Sequence, residues 1–171
     1  PQQAPRVAVL LLAAGRSTRM GGPNKMLADA NGQPLVVHAV KAALASQAVE
    51  VVVVLGHRAD EVAWVLADLP VLTVVNPSHA TGHVTSLRKG LMELPDSIGA
   101  TLVALADQPL IERADVTALL DAFARRGVAR ALVPRVRGQR GHPVVLDASV
   151  GADILKGNAA YGHPNNKKPM R

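Results

Sequence analysis

Cysteine is absent from the 171 residues, which excludes disulfides, thiolate nucleophiles and cysteine metal sites. Nothing marks the chain as secreted, so the cytoplasm is the expected compartment. Aromatic residues are 2% of the chain, as Trp64, Phe123 and Tyr161. That is too few for a platform of rings on which unpaired bases stack, so nucleic acid is not the expected partner. Long apolar runs are missing as well. The stretch Val7 to Ala14 falls far short of the roughly 20 residues of a membrane span, and Arg16 and Arg19 follow it, so no membrane segment is expected. Charge is scarce at 19%, against 49% hydrophobic residues, a balance that suits one folded domain with one sizeable core. The net charge is +6; setting Lys156, Lys167, Lys168 and Arg171 aside from the 19 cations leaves 15 against 13 acids. The body of the chain is therefore near neutral, and its basicity belongs to residues 156–171.

Short, fully apolar runs recur at Val7 to Leu12, Val51 to Leu55, Leu72 to Val75 and Thr101 to Leu105, with a shorter one at Ala131 to Val133. These predict buried strands. Pro143 to Leu146 predicts one more, placed at a sheet edge because proline cannot donate to a ladder. Between the runs, Val116, Leu119, Leu120 and Phe123 fall on one face of a helix spanning Arg113 to Arg126, and Val62, Val65, Leu66 and Leu69 repeat the spacing. Val84, Leu87, Leu91 and Leu94 do so more sparsely, and Pro34 suits the first turn of a helix to about Ser46. Alternating strands and helices predict an α/β fold, a Rossmann-like, mostly parallel sheet with helices on both faces in three layers. Ligands of such sheets bind at the carboxyl rim of the strands, so the loops there carry the chemistry.

The loop after the first strand, Ala13 to Lys25, holds three glycines and three cations. It fails the P-loop pattern, because Pro23 and Asn24 separate Gly22 from Lys25, and the dinucleotide fingerprint, because Ser17 stands two residues after Gly15. What remains is a loop whose amides and cations suit a triphosphate, or a solvated basic turn. Asp107, at the end of the fourth run, suits either a hard metal ion or the capping of a turn. Six scattered histidines lack zinc-ligand spacing. The arginines at 125, 126, 130, 135, 137 and 140 have no acid among them and read as a solvated face or an anion-attracting one.

Leu12-Ala13-Ala14-Gly15-Arg16-Ser17-Thr18-Arg19-Met20-Gly21 with Lys25 resembles the signature loop of the nucleotidyltransferases related to the molybdenum cofactor guanylyl- and cytidylyltransferases. Further blocks agree in order: Val54-Leu55-Gly56-His57, Asn76-Pro77 with Gly82 and Thr85-Ser86-Leu87-Arg88, Ala106-Asp107-Gln108-Pro109-Leu110, and Arg140-Gly141-His142-Pro143-Val144. The resemblance covers residues 7 to 146 and implies a nucleotide-diphospho-sugar transferase type of sheet within a single domain, residues 1–155. Residues 156–171 depart from the family pattern and read as a flexible or shortened tail. The resemblance also implies a site. Arg19 and Lys25 would sit on the phosphates as catalytic cations, and Asp107 would hold magnesium. Leu12, Ala13, Ala14, Gly15, Arg16, Ser17, Gly82 and Ser86 would bind the nucleotide, with Gly141, His142 and Pro143 on the acceptor side. Alanine before glycine at 14 and 15 resembles the cytidylyl branch, implying CTP, with GTP as the alternative. The implied acceptor is molybdopterin or the molybdenum cofactor, with a recipient molybdoenzyme or its chaperone as a further partner. A sugar phosphate or methylerythritol phosphate acceptor, and a carrier that binds without turnover, are the competing readings.

Overall fold

Successive residues of β1 (Val7–Ala13) point to opposite faces of a sheet, and both sets are buried, which is what a strand of unbroken apolar residues requires. The computed structural model describes residues 5–15, 24–108 and 112–157. After β1 come a 3-10 turn (Lys25–Leu27), the small hairpin of β2 (Asp29–Ala30) and β3 (Gln33–Pro34), α1 (Leu35–Leu44), β4 (Glu50–Leu55), α2 (Ala59–Leu66) and β5 (Leu72–Val75). A second 3-10 turn (His79–Thr81) leads into α3 (His83–Leu91), β6 (Ala100–Leu105), α4 (Arg113–Ala124), β7 (Ala131–Leu132) and a hairpin of β8 (Arg135–Val136) and β9 (Gln139–Arg140). The chain then forms β10 (Val144–Asp147) and α5 (Ala148–Leu155).

Six strands form one sheet in the order β5-β4-β1-β6-β10-β7, with β1 parallel to β4 and β6, and β4 parallel to β5. Val9 aligns with Val51 and Leu102, and Leu11 with Val53 and Ala104. These residues all face the layer of α1, α2 and α4. Leu10, Leu12, Val52, Val54 and Val103 face the other way, onto Leu87 and Leu91 of α3 and Ile154 of α5. The expected three layers are present.

Five differences separate the structure from the sequence reading. The runs at Leu72 to Val75 and Ala131 to Val133 are strands but not buried ones: β5 and β7 are the two edges of the sheet, and Leu72, Val75 and Val133 are exposed. The 143–146 run is not an edge strand: β10 lies between β6 and β7 and is antiparallel to both. Pro143 stands just before the first ladder residue, so its missing N–H breaks no sheet bond. Pro34 is the N-cap of α1, not a residue of its first turn. α3 ends at Leu91, and Leu94 packs on the core from beyond the helix. α5 was not expected, because its buried residues are only Gly151 and Ile154, too sparse for a periodic signal.

From β1 the chain crosses toward β4 and β5, whereas from β6 it crosses the opposite way, toward β7 and β10. β1 and β6 are neighbours, so the loops that leave them diverge and open a crevice at their carboxyl ends.

Candidate active site

That crevice collects residues from distant parts of the sequence. Ala14 and Gly15 leave β1, and Asp107 leaves β6, where Ala106 N–H still bonds to Leu12 C=O at 3.1 Å. Lys25 reaches Asp107: Nζ lies 3.4 Å from Oδ2, with both side chains partly open to solvent. Lys25 owes its place to its neighbours. Asn24 is buried, its Oδ1 accepts from Met26 N–H at 3.1 Å, and its Nδ2 donates to His57 C=O at 3.2 Å. Met26 is buried in the core on its other side. The lysine is thus set between two anchors, one tied to the end of β4 and one to the α1 layer.

A depression of about 120 Å³ lies alongside, lined by Ala14, Gly15, His79, Ala80, Gly82, His83 and Ser86. Its floor depends on Gly56. A Cβ there would stand 2.7 Å from His79 Cβ and 2.8 Å from Ala14 Cβ, so only glycine lets the loops after β1 and β5 close on the end of β4. Its far wall is the start of α3. Gly82 takes φ 124°, a conformation that favours glycine, and offers no side-chain cap to the first amides of α3, whose residues His83 and Ser86 line the depression.

Asn76 organises this wall. It is buried at the end of β5, its Nδ2 donates to Ser86 Oγ at 2.9 Å and Thr85 Oγ1 at 3.0 Å, and its Oδ1 accepts from Ser78 N–H at 3.0 Å. Ser86 Oγ, engaged as an acceptor, keeps its own proton to donate.

His142 stands at the crevice's far side, joined to Pro143 by a cis peptide bond. Burial holds its imidazole below the ordinary value of 6.5, helped by the charge of His83 and opposed by Asp107. The structure therefore brings Lys25 and Asp107 into contact and sets Ala14, Gly15, Gly82, His83 and Ser86 along the depression, while His142 feels the charges of His83 and Asp107. Leu12 and Ala13 are placed otherwise: their side chains are buried in β1, leaving only backbone toward the rim. Arg16, Ser17 and Arg19 lie outside the described residues, as do residues 158–171. Asn24, Gly56, His79 and His83 carry no role in the sequence reading, although Gly56 lies inside a motif block and Asn24 inside the loop Ala13 to Lys25, where both could be read as backbone-positioning residues.

The profile of the MobA-like NTP transferase domain matches residues 9–167. The chain belongs to that family. Among curated proteins, this MobA-like domain is 39% identical over 131 residues to the bifunctional protein GlmU of Kineococcus radiotolerans, covering 75% of this chain and 27% of that one. It is 42% identical over 138 residues to the 2-C-methyl-D-erythritol 4-phosphate cytidylyltransferase of Streptomyces coelicolor, covering 77% of this chain and 50% of that one. The MobA-like domain thus spans half or less of the length of these relatives. Its fold matches that of Rv0371c from Mycobacterium tuberculosis, solved in complex with manganese, with a TM-score of 0.75 and 22% identity over 88% of this chain and 76% of that one. The mixed, mostly parallel sheet between two helical layers is the α/β arrangement expected from the sequence, and the fold also matches 4-diphosphocytidyl-2C-methyl-D-erythritol synthase of Anaerococcus prevotii, with a TM-score of 0.72 and 14% identity over 95% of this chain and 79% of that one.

Proposed function

We propose that the chain transfers CMP from CTP to phosphorylated molybdopterin or the molybdenum cofactor, releasing pyrophosphate. The observation that carries the transfer chemistry is the meeting of Lys25 and Asp107 at 3.4 Å beside the Ala14–Gly15 turn, where the sheet's topology opens its crevice. Asp107 suits magnesium: it offers one hard carboxylate at a solvent-accessible rim, and magnesium commonly takes one or two such ligands with water and substrate phosphates completing its shell. Among the described residues no group of three or more His, Asp or Glu side chains could cage a metal, which favours an ion shared with the nucleotide. The manganese complex of the mycobacterial neighbour supports a divalent ion in this fold. When bound, such an ion neutralises charge on the phosphates and makes pyrophosphate a better leaving group.

The chain's own residues do the rest by position and charge. Lys25 sets a cation against the triphosphate, and Arg19 is assigned the same task. The backbone of Ala14 and Gly15 and the uncapped amides of α3 approach the nucleotide closely. An acceptor phosphate oxygen is already anionic, so attack on the α-phosphorus needs no general base, and orientation supplies most of the rate. His142, kept neutral by burial, can orient the acceptor by a hydrogen bond without adding charge. The alanine before glycine at 14 and 15, as in the cytidylyl branch that the loop resembles, supports CTP over GTP.

A second reading keeps the transfer and changes the acceptor to methylerythritol phosphate, favoured by the 42% identity to that cytidylyltransferase. One assay separates them. With magnesium and CTP, pyrophosphate release is measured against molybdopterin, methylerythritol phosphate and a sugar 1-phosphate, and repeated with GTP. Release with the pterin and CTP is expected. Release only with another acceptor moves the reading there, release only with GTP overturns the cytidylyl assignment, and CTP binding without release makes the chain a carrier.

A further inference from the structure

The hairpin of β8 and β9 is left over once the site is described, and its charges are not balanced as those around it are. Arg126 pairs with Asp147 at 2.7 Å and Arg130 with Asp153 at 2.6 Å. Arg135, Arg137 and Arg140 are exposed, and among the described residues no carboxylate pairs with any of them. The register sharpens this. Arg135 stands directly opposite Arg140, and Val136 opposite Gln139.

In a hairpin closed by a two-residue loop, the pair next to the loop exchanges hydrogen bonds and the next pair does not. Gly141 N–H bonding to Pro134 C=O at 2.9 Å confirms that alternation. Arg135 and Arg140 therefore form the non-hydrogen-bonded pair, whose Cα atoms stand only about 4.5 Å apart. Two like charges so placed repel, and a two-strand ribbon has little packing to offset it. The loop adds a third cation: Arg137 takes φ 50° and Gly138 φ 79°, and arginine gains nothing from that conformation, which glycine, asparagine or aspartate fill better. The hairpin's base at Gly141 adjoins His142, which senses the charges of Asp107 and His83 across the crevice.

We propose that the hairpin of residues 134–141 grips a phosphate dianion of the acceptor, with Arg135 and Arg140 closing on it from facing strands. This rests on the reading of the chain as a transferase to a phosphorylated acceptor. A dianion between two guanidiniums turns the repulsive pair into a forked set of charge-assisted hydrogen bonds, a geometry that arginine supports and lysine does not. The acceptor phosphate is the source chosen, because the hairpin is joined to Gly141-His142-Pro143 and not to the loop after β1.

The test uses Arg135→Gln, Arg140→Gln, the double variant, and Arg125→Gln as a control on the exposed end of α4. Each single hairpin variant is expected to raise the acceptor KM about 10-fold and the double about 100-fold, with the CTP KM within about 2-fold throughout. Arg125→Gln should leave both constants within the same margin. Inorganic phosphate, titrated without nucleotide, should raise the melting temperature of the unmodified chain and not that of the double variant. In phosphate-free buffer Arg140→Gln should melt no lower than the unmodified chain, because a repulsion is removed, whereas Arg135→Gln also gives up the hydrogen bond that Arg135 Nη1 donates to Gly138 C=O at 3.2 Å. Arg135→Lys with Arg140→Lys should recover only part of the acceptor affinity. A rise in the CTP KM instead, or unchanged acceptor KM in the double variant, overturns the proposal. If no acceptor supports turnover, the transferase reading fails by itself, and the phosphate titration alone then decides the hairpin: equal stabilisation of both chains overturns it, and loss in the double variant upholds it.

Discussion

At the scale of single residues, the proposed site is centred on the exposed ion pair of Lys25 and Asp107. An exposed pair of this kind contributes well under about 1 kcal/mol to stability, so Lys25 and Asp107 can be changed without unfolding the chain. Lys25→Ala is expected to weaken magnesium-nucleotide binding by about 1.5 to 3 kcal/mol through the loss of a charged hydrogen bond, as read by calorimetry. Asp107→Asn should remove most turnover while the denaturation midpoint shifts by less than the equivalent of about 0.5 kcal/mol. Wild-type activity in Asp107→Asn, with the metal requirement intact, would take the carboxylate out of the reaction. The two asparagines tell a different story. Asn24 and Asn76 are buried, bond to two and three groups respectively, and hold the loops beside the site.

Elements set how closely those residues approach. α3 lies on the sheet with Gly90 against Leu10 and Val54; a Cβ there would press on Leu10 Cδ2 and come within 2.9 Å of Val54 Cγ2. Gly90→Ala improves helix propensity, by up to about 1 kcal/mol, yet overpacking costs about 1 to 3 kcal/mol. The substitution should therefore destabilise the fold, measured by urea denaturation, and shift the start of α3 away from the depression. β10 and α5 are joined through Asp147, which caps α5 by accepting from Ser149 N–H at 3.0 Å and pairs with Arg126 of the α4 end. Burial pushes its carboxyl up, but the hydrogen bonds from Ser149 and Arg126 outweigh it and hold the group below 3.8. Because the folded state keeps the charge more readily than the unfolded chain, this contribution is complete above 3.8 and is lost as pH falls through the folded value. Asp147→Ala should flatten the acid limb of the stability profile and cost about 1 to 2 kcal/mol at neutral pH.

For the molecule as a whole, the fold is expected to stand without the metal that the proposed transfer would use. The core is two continuous apolar layers on either side of the sheet, and no metal cage exists among the described residues. Chelation of divalent ions should abolish transfer while the melting temperature stays unchanged within about 1 °C, since the fold buries its apolar surface without the ion. A fall in melting temperature on chelation, reversed by magnesium or manganese, would show a resident structural metal instead.

The strands from Val7, Val51 and Thr101 were legible because a parallel strand buried on both faces is apolar nearly throughout; the run from Leu72 also forms a strand, but at the sheet edge, with only Val74 buried. Those same residues gave the alternation with helices and hence the layered sheet, while the phosphate-loop and rim blocks were legible only through family resemblance. Other features could not be read along the chain. That Pro143 leads into an interior strand depended on β7 arriving to cover it, and that Arg126 and Arg130 are paired depended on Asp147 and Asp153 folding back from α5. The meeting of Lys25 with Asp107 spans 82 positions and exists because β1 and β6 are neighbours. Apolar pattern and glycine placement are local properties, fixed by steric and solvation rules acting within a few residues. The pairing of charges is decided by strand order, which the tertiary structure alone establishes.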